Sequence, residues 1–247
     1  MSIFCYMSFL HPSFPNILLA ILYPIYTGFA IDETDETLVH DITYATNSQN
    51  PVDLRDLRAN DTIQRNLTLG IKVFGYDYER KRDDIEPDTG HDISSQLAAE
   101  AILAVWRCKP HQLKINKGDI FNHQFYPEIF TNELNASQLI MAVLILRKVE
   151  AKCRNDDLLP YSEYFIAMLV GKILLKELAI SVEKLDHLNF IQAKNTLNTS
   201  IHNFYPQAIR KLEVALKKLY GEQTISLQQL SATFRRGDLL SFLSSNP

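Results

Sequence analysis

The sequence predicts a mainly α protein, with a helical C-terminal module from about residue 91. Three observations carry this. Glycine is scarce, 8 in 247 residues, and leucine is abundant, which favours helix over a turn-rich all-β fold. Apolar residues recur at spacings of three and four along much of the chain after Leu38. Residues suited to capping helices (Asp61, Ser94, Asn135, Ser162 and Ser226) stand just before these runs.

The first element is unlike the rest. Residues 1–30 contain no Asp, Glu, Lys or Arg. Three readings stay open. Ile17–Tyr26 followed by Gly28-Phe29-Ala30 suits a signal peptide with a small-x-small cleavage site, although no Lys or Arg precedes Arg55. A membrane anchor suits the apolar stretch, but Pro12, Pro15 and Pro24 interrupt it. The third reading is a buried segment or a chain start that is not the native one.

Leu38–Ala45 is then a short helix candidate. Asp61 opens a helix from Thr62 to about Phe74, with Ile63, Leu67, Ile71 and Phe74 on one face. Tyr76 to Gly90 reads as a polar loop with six acids and three bases. Ser94 or Ser95 caps an apolar helix from Gln96 to Cys108, stopped before Pro110. A mixed stretch follows, with Phe121, Phe125, Tyr126, Ile129 and Phe130 as buried anchors. Asn135 caps a helix from Ala136 to Arg154, whose centre, Leu139–Leu146, is apolar nearly all round and marks the core. Ser162 caps the next, Glu163 to Ala179. Pro206 is expected in the first turn of a last long helix ending at Tyr220 before Gly221. Leu212, Leu216 and Leu219 face inward there, and Arg210, Lys211, Lys217 and Lys218 face water. Ser226 and Gly237 frame two short terminal helices.

Composition narrows the function classes. At 46% apolar and 22% charged residues the chain is neither disordered, collagen-like nor a polytopic membrane protein. A net charge of −4 excludes a wholly polybasic nucleic-acid binder. Residues 31–130 hold 18 acids against 11 bases, and residues 201–247 hold 6 bases against 3 acids; neither imbalance names a partner. Cys5, Cys108 and Cys153 lie too far apart for a disulfide framework or a zinc motif, which points to reduced thiols and a cytoplasmic location. Nucleotide-binding glycine loops, HExxH, GxSxG and CxxC are all missing, so no cofactor is expected. Asp83, Asp84, Glu86 and Asp88, beside Lys81, are the one carboxylate grouping a metal-dependent nuclease could use, though a solvated loop explains them more simply. The histidines lack ligand spacing: His91 flanks a helix, and His123 is expected as a partly buried partner of the aromatics. Trp106 is read as core.

One block carries more information, Ile42 to Gln64. Thr46, Asn47, Ser48, Gln49 and Asn50 place five hydrogen-bonding side chains without formal charge in a row. Amides both donate and accept, which suits a base edge, a sugar or a backbone segment. Arg55 and Arg58, three apart, share a helical face and suit a phosphate or carboxylate. The same residues also suit a capping network with no ligand, and from chemistry alone that account leads.

The run "ITYATNSQNPVDLRDLRANDTIQ" resembles the signature stretch of the AIPR family, the abortive-infection phage-resistance proteins of prokaryotes. The resemblance continues through Tyr76–Lys81, similar to the family's aromatic-rich strand ending in Arg-Lys. It extends through "DISSQLAAEAILAVWRCKP", the aromatic helix at Phe125–Phe130 and the tail "SLQQLSATFRRGDLLSFL", and so covers about residues 31–247. The "TNSQNPV" element is also distantly similar to ParB-like and DGQHR-type proteins. Family members usually have a longer N-terminal half with a nuclease-like region, which has no counterpart here. The resemblance therefore implies a fragment or short form: an apolar, non-family segment (1–30), the remnant of an α/β domain (31–90) and a helical module (91–247). It implies a phage-defence protein that binds nucleic acid or a nucleotide through Thr46, Asn47, Gln49, Asn50, Arg55, Arg58, Gln64, Arg80 and Lys81. No enzyme activity is expected of this chain alone, and no membrane partner. Alternatives are a protein-interaction module, pairing with a second copy or the missing N-terminal half, and, last, a metal-dependent nuclease.

Overall fold

The computed structural model describes residues 54–81, 91–116, 119–154 and 159–244. The Asn/Gln run at 46–50, the Leu38–Ala45 helix candidate and the acidic loop at 83–88 lie outside the described residues. Within them are ten α-helices and a single pair of short strands. The architecture is mainly α.

Three apolar helices form the core: α3 (Ser95–Val105), α6 (Ala136–Cys153) and α7 (Glu163–Glu177). Each packs on the other two. Their centres are buried all round, as expected of helices without a polar face: Leu139, Val143 and Leu146 are fully buried, as are Ile102, Ala167 and Leu174. Gly171 of α7 permits a close approach to the end of α3. A Cβ there would lie 2.6 Å from Val105 Cγ1 and 3.2 Å from Trp106 Cζ3.

Capping explains where two of these helices begin. Ser94 Oγ accepts from the Leu97 amide, so α3 starts at Ser95 and ends at Val105, not at Cys108 as periodicity suggested. The turn after it puts Cys108 at a positive φ of 53°. Asn135 and Gln138 form a reciprocal capping box at the start of α6. Two expected caps are not made. Ser162 turns its hydroxyl to the Leu159 carbonyl, and Asp61 makes no side-chain cap to its own helix, Thr62–Val73.

The long helix α8 differs most from expectation. It runs Phe190–Tyr220, with Pro206 inside it rather than in its first turn. The stripe Phe190, Ala193, Leu197, Phe204, Ala208 and Leu212 is buried along one side and continues through the proline. Pro206 faces solvent, and packing on α6 and α7 holds the helix where the missing amide would weaken it. Arg210, Lys211, Lys217 and Lys218 are exposed, as expected.

Before the core come α1 (Leu54–Arg58), α2 (Thr62–Val73), β1 (Asp77–Glu79) and β2 (Asp92–Ser94). The strands are parallel, with Tyr78 opposite Ile93. Part of the expected polar loop is thus a strand, where the family resemblance implied one, because Tyr76 and Tyr78 alternate inward around exposed Asp77. α2 buries Leu67 and Ile71 and rests on β1 and α6. Between α3 and α6 lie α4 (Pro110–Asn116) and α5 (Tyr126–Ile129), where Phe121, Tyr126 and Phe130 cluster with ring centres 5.0–6.2 Å apart. Phe125 is only half-buried and His123 is exposed, so His123 does not join the aromatics. The helices α9 (Leu227–Arg236) and α10 (Leu239–Ser244) close the chain, with the expected Ser226 cap and a left-handed Gly237.

Candidate functional site

The described half of the predicted block is α1, the turn at 59–61 and the first turn of α2. Arg55 projects from α1 and donates through Nε to Ser95 Oγ at 2.7 Å. Its Nη2 reaches the backbone carbonyls of Glu79 at 3.3 Å and Lys81 at 2.9 Å. Ser95 Oγ in turn donates to the Arg80 carbonyl at 3.1 Å. Arg80 reaches back the other way, its Nη1 donating to the Ala59 carbonyl at 2.9 Å. Two arginines thus brace α1 against the end of β1 in opposite directions, and Ser95 ties the brace to the start of α3. Satisfying chain carbonyls with guanidinium donors fixes loops that a helix or sheet ladder does not reach.

Arg58, one turn on, lies over the Tyr126 ring with its Cζ 4.7 Å from the centroid. Its Nη1 stands 3.5 Å from Asp61 Oδ2. Gln64 sits beneath, 1% exposed, and bridges two phenols: Tyr78 OH donates to its Oε1 at 2.7 Å, and its Nε2 donates to Tyr126 OH at 3.2 Å. Burial pushes both phenols above the ordinary tyrosine range, and neighbouring Tyr126 adds to the effect at Tyr78. The pair stays protonated and donates or accepts as neutral hydroxyls.

The structure therefore brings Arg55, Arg58, Gln64, Arg80 and Lys81 into one corner, although 15 residues lie between Gln64 and Arg80. Lys81 is the exposed member. Gln64 is interior, and its amide is taken up by the two tyrosines. Thr46, Asn47, Gln49 and Asn50 lie outside the described residues. Sequence reasoning missed Ser95, Tyr78 and Tyr126. The sequence marks Ser95 only as a possible helix cap, and Tyr126 only as a buried anchor. The alternation of Tyr76 and Tyr78 around Asp77, within the stretch that resembles the family's aromatic-rich strand, is the local signal that points Tyr78 inward.

Among the described residues no three His, Cys, Asp or Glu come together as a metal site, and no helix is long and apolar enough to cross a membrane. Comparison with curated proteins and with solved structures finds no match to this chain. A family model, described as AIPR protein, matches residues 20–237, and that span contains the whole Arg55–Lys81 corner. The chain belongs to the AIPR family, whose name abbreviates abortive-infection phage resistance.

Proposed function

We propose that this phage-defence protein contacts nucleic acid or a nucleotide through residues 46–64 and the adjoining Arg80-Lys81 turn. The observation that supports this is the convergence of Arg55 and Arg58 with Arg80 and Lys81 at one corner, from stretches far apart in sequence. Cations that follow a neutral amide run in the sequence suit a phosphate beside a base or sugar. In this reading Lys81 meets phosphate, Asn47, Gln49 and Asn50 meet base or sugar edges, and Arg55 and Arg80 hold the corner in shape.

A bracing role without a ligand is the second reading. It is favoured by the Arg55 donors that meet Ser95, Glu79 and Lys81 within the chain. Fluorescence anisotropy with single- and double-stranded oligonucleotides, at several salt concentrations, separates the two. Binding should weaken as salt rises, and Lys81→Ala should flatten that slope by about one unit with an unchanged melting curve. Asn47→Ala should lose roughly 1–3 kcal/mol of binding with little change in slope. Salt-insensitive or absent binding would leave only the brace.

A further inference from the structure

The outer face of α8 carries a charge unlike that of the rest of the chain. In its 31 residues the helix holds one acid, Glu213, against five bases, whereas the whole chain has a net charge of −4. Lys194 lies over the Tyr76 ring, 5.3 Å from its centroid, and so serves the fold. The other four bases, Arg210, Lys211, Lys217 and Lys218, are exposed.

Helical spacing sorts these four into two rows. Arg210 and Lys217 share one side of the face; Lys211 and Lys218 share the other, about 100° round the axis. Within each row the two cations stand roughly 10 Å apart along the axis. Asn203, Gln207 and Val214, spaced by four and by seven, run between the rows, and all three are exposed. Tyr205, Leu212 and Leu216 lie on the far side of the helix, buried where it packs on the body.

The ordinary reasons for helix cations do not account for this face. The helix dipole favours cations in the last turn, which covers Lys217 and Lys218 but not Arg210 and Lys211, about two and a half turns before the end. Among the described residues Arg210, Lys211 and Lys218 make no ion pair. Lys217 meets Glu222 at 2.6 Å, but both side chains are mostly exposed, and a pair so open to water is readily exchanged for another anion.

We propose that this face of α8 lies in the major groove of double-stranded DNA. A helix with its side chains is about 10–12 Å across, and the groove is about 12 Å wide. The two rows then meet the phosphates of the two strands that border the groove. Between them the amides of Asn203 and Gln207 meet base edges, which they match as joint donors and acceptors. The charge selects an anionic partner, and the composition selects a nucleic acid over a lipid surface. Between Asn203 and Lys218, Val214 is the one exposed large apolar side chain, too little to enter a bilayer. Duplex RNA is disfavoured because its major groove is deep and narrow. This surface goes beyond the proposed function and does not depend on the Arg55–Lys81 corner.

The full chain is titrated by fluorescence anisotropy with a labelled DNA duplex at several salt concentrations, beside an RNA duplex of the same sequence. DNA should bind about tenfold or more tightly than RNA. Arg210→Gln with Lys217→Gln removes one row, and Lys211→Gln with Lys218→Gln removes the other. Each pair should flatten the plot of log affinity against log salt by about two units, at a parental melting temperature, since each phosphate contact contributes about 0.9. Lys72→Gln with Lys184→Gln removes the same charge from exposed positions near the opposite end of α8, where Phe74 meets Phe190, and should leave the slope as it is. Asn203→Ala with Gln207→Ala should weaken binding about tenfold or more at an unchanged slope. The row substitutions should act equally with and without Lys81→Ala, which separates this surface from the proposed one. Row variants that keep the parental slope, a control pair that flattens it as much, RNA bound as tightly as DNA, or capture by phosphatidylserine vesicles without binding to DNA would overturn the proposal.

Discussion

Gln64 provides the sharpest test of how the amide and phenol groups hold the N-terminal elements to the core. The perturbation is Gln64→Leu, which keeps the side-chain volume but removes both polar ends. The amide is 1% exposed, and it links Tyr78 on β1 to Tyr126 on α5. Tyr78 loses the acceptor for its hydroxyl at 2.7 Å, whereas Tyr126 keeps the influence of Asp61 nearby. A buried hydroxyl left unsatisfied costs about 1–3 kcal/mol, and a lost bond to a group that retains another partner about 1 kcal/mol. The sum is about 2–4 kcal/mol. For a chain of this size that lowers Tm by roughly 4–16 °C, at about 2–4 °C per kcal/mol. Urea unfolding followed by circular dichroism should show a lower midpoint with an unchanged slope. Adding Tyr78→Phe removes the orphaned hydroxyl, so the double variant should recover part of the loss, as expected of groups that share one bond. A Gln64→Leu protein that melts within 2 °C of the parent would refute the reasoning, because the amide would then contribute nothing.

Other perturbations address the core, the brace and pH. Leu146→Asp should cost on the order of 3 kcal/mol or more, since an unpaired charge would enter a fully buried site; a stable, soluble variant in a denaturation curve would mean that α6 faces water. Gly171→Ala drives a methyl to 2.6 Å from Val105 Cγ1 and should destabilise by about 1–3 kcal/mol, with a shift in Trp106 emission; parental Tm and emission would count against the tight α3–α7 approach. Arg55→Ala should lower Tm by several degrees, because the carbonyls of Glu79 and Lys81 and the Ser95 hydroxyl lose a donor, whereas Lys81→Ala should not; equal melting of the two would count against the brace. Burial raises the pKa of Tyr78, Tyr126 and Tyr164, so their stabilising contribution is fully present below the unfolded tyrosine value near pH ~10 and is lost as pH rises above it. An ultraviolet titration should show these three ionising only with unfolding, and full tyrosine ionisation in a protein still folded would contradict their burial.

Much of the helical order is local information. The Ser94, Asn135 and Ser226 caps fix where α3, α6 and α9 begin, and each lies within four residues of what it caps. The all-round apolar runs of α3, α6 and α7 identify the core without any long-range contact, because no polar face is left for water. The family was legible in the same way, since its signature is a continuous stretch of side chains.

Tertiary structure decided the rest. The sequence around Pro206 reads as a helix start, because proline disfavours a helix interior. Only the buried stripe from Phe190 to Leu212, packed on α6 and α7, carries α8 through it. Asp61 and Ser162 have the chemistry of caps, yet neither makes one, because Asp61 stands beside Arg58 and Ser162 bonds to Leu159. The arginine brace joins residues 21 to 40 positions apart. Such contacts have no local signature: their energy comes from satisfying backbone carbonyls and buried hydroxyls that become neighbours only once the core helices have packed.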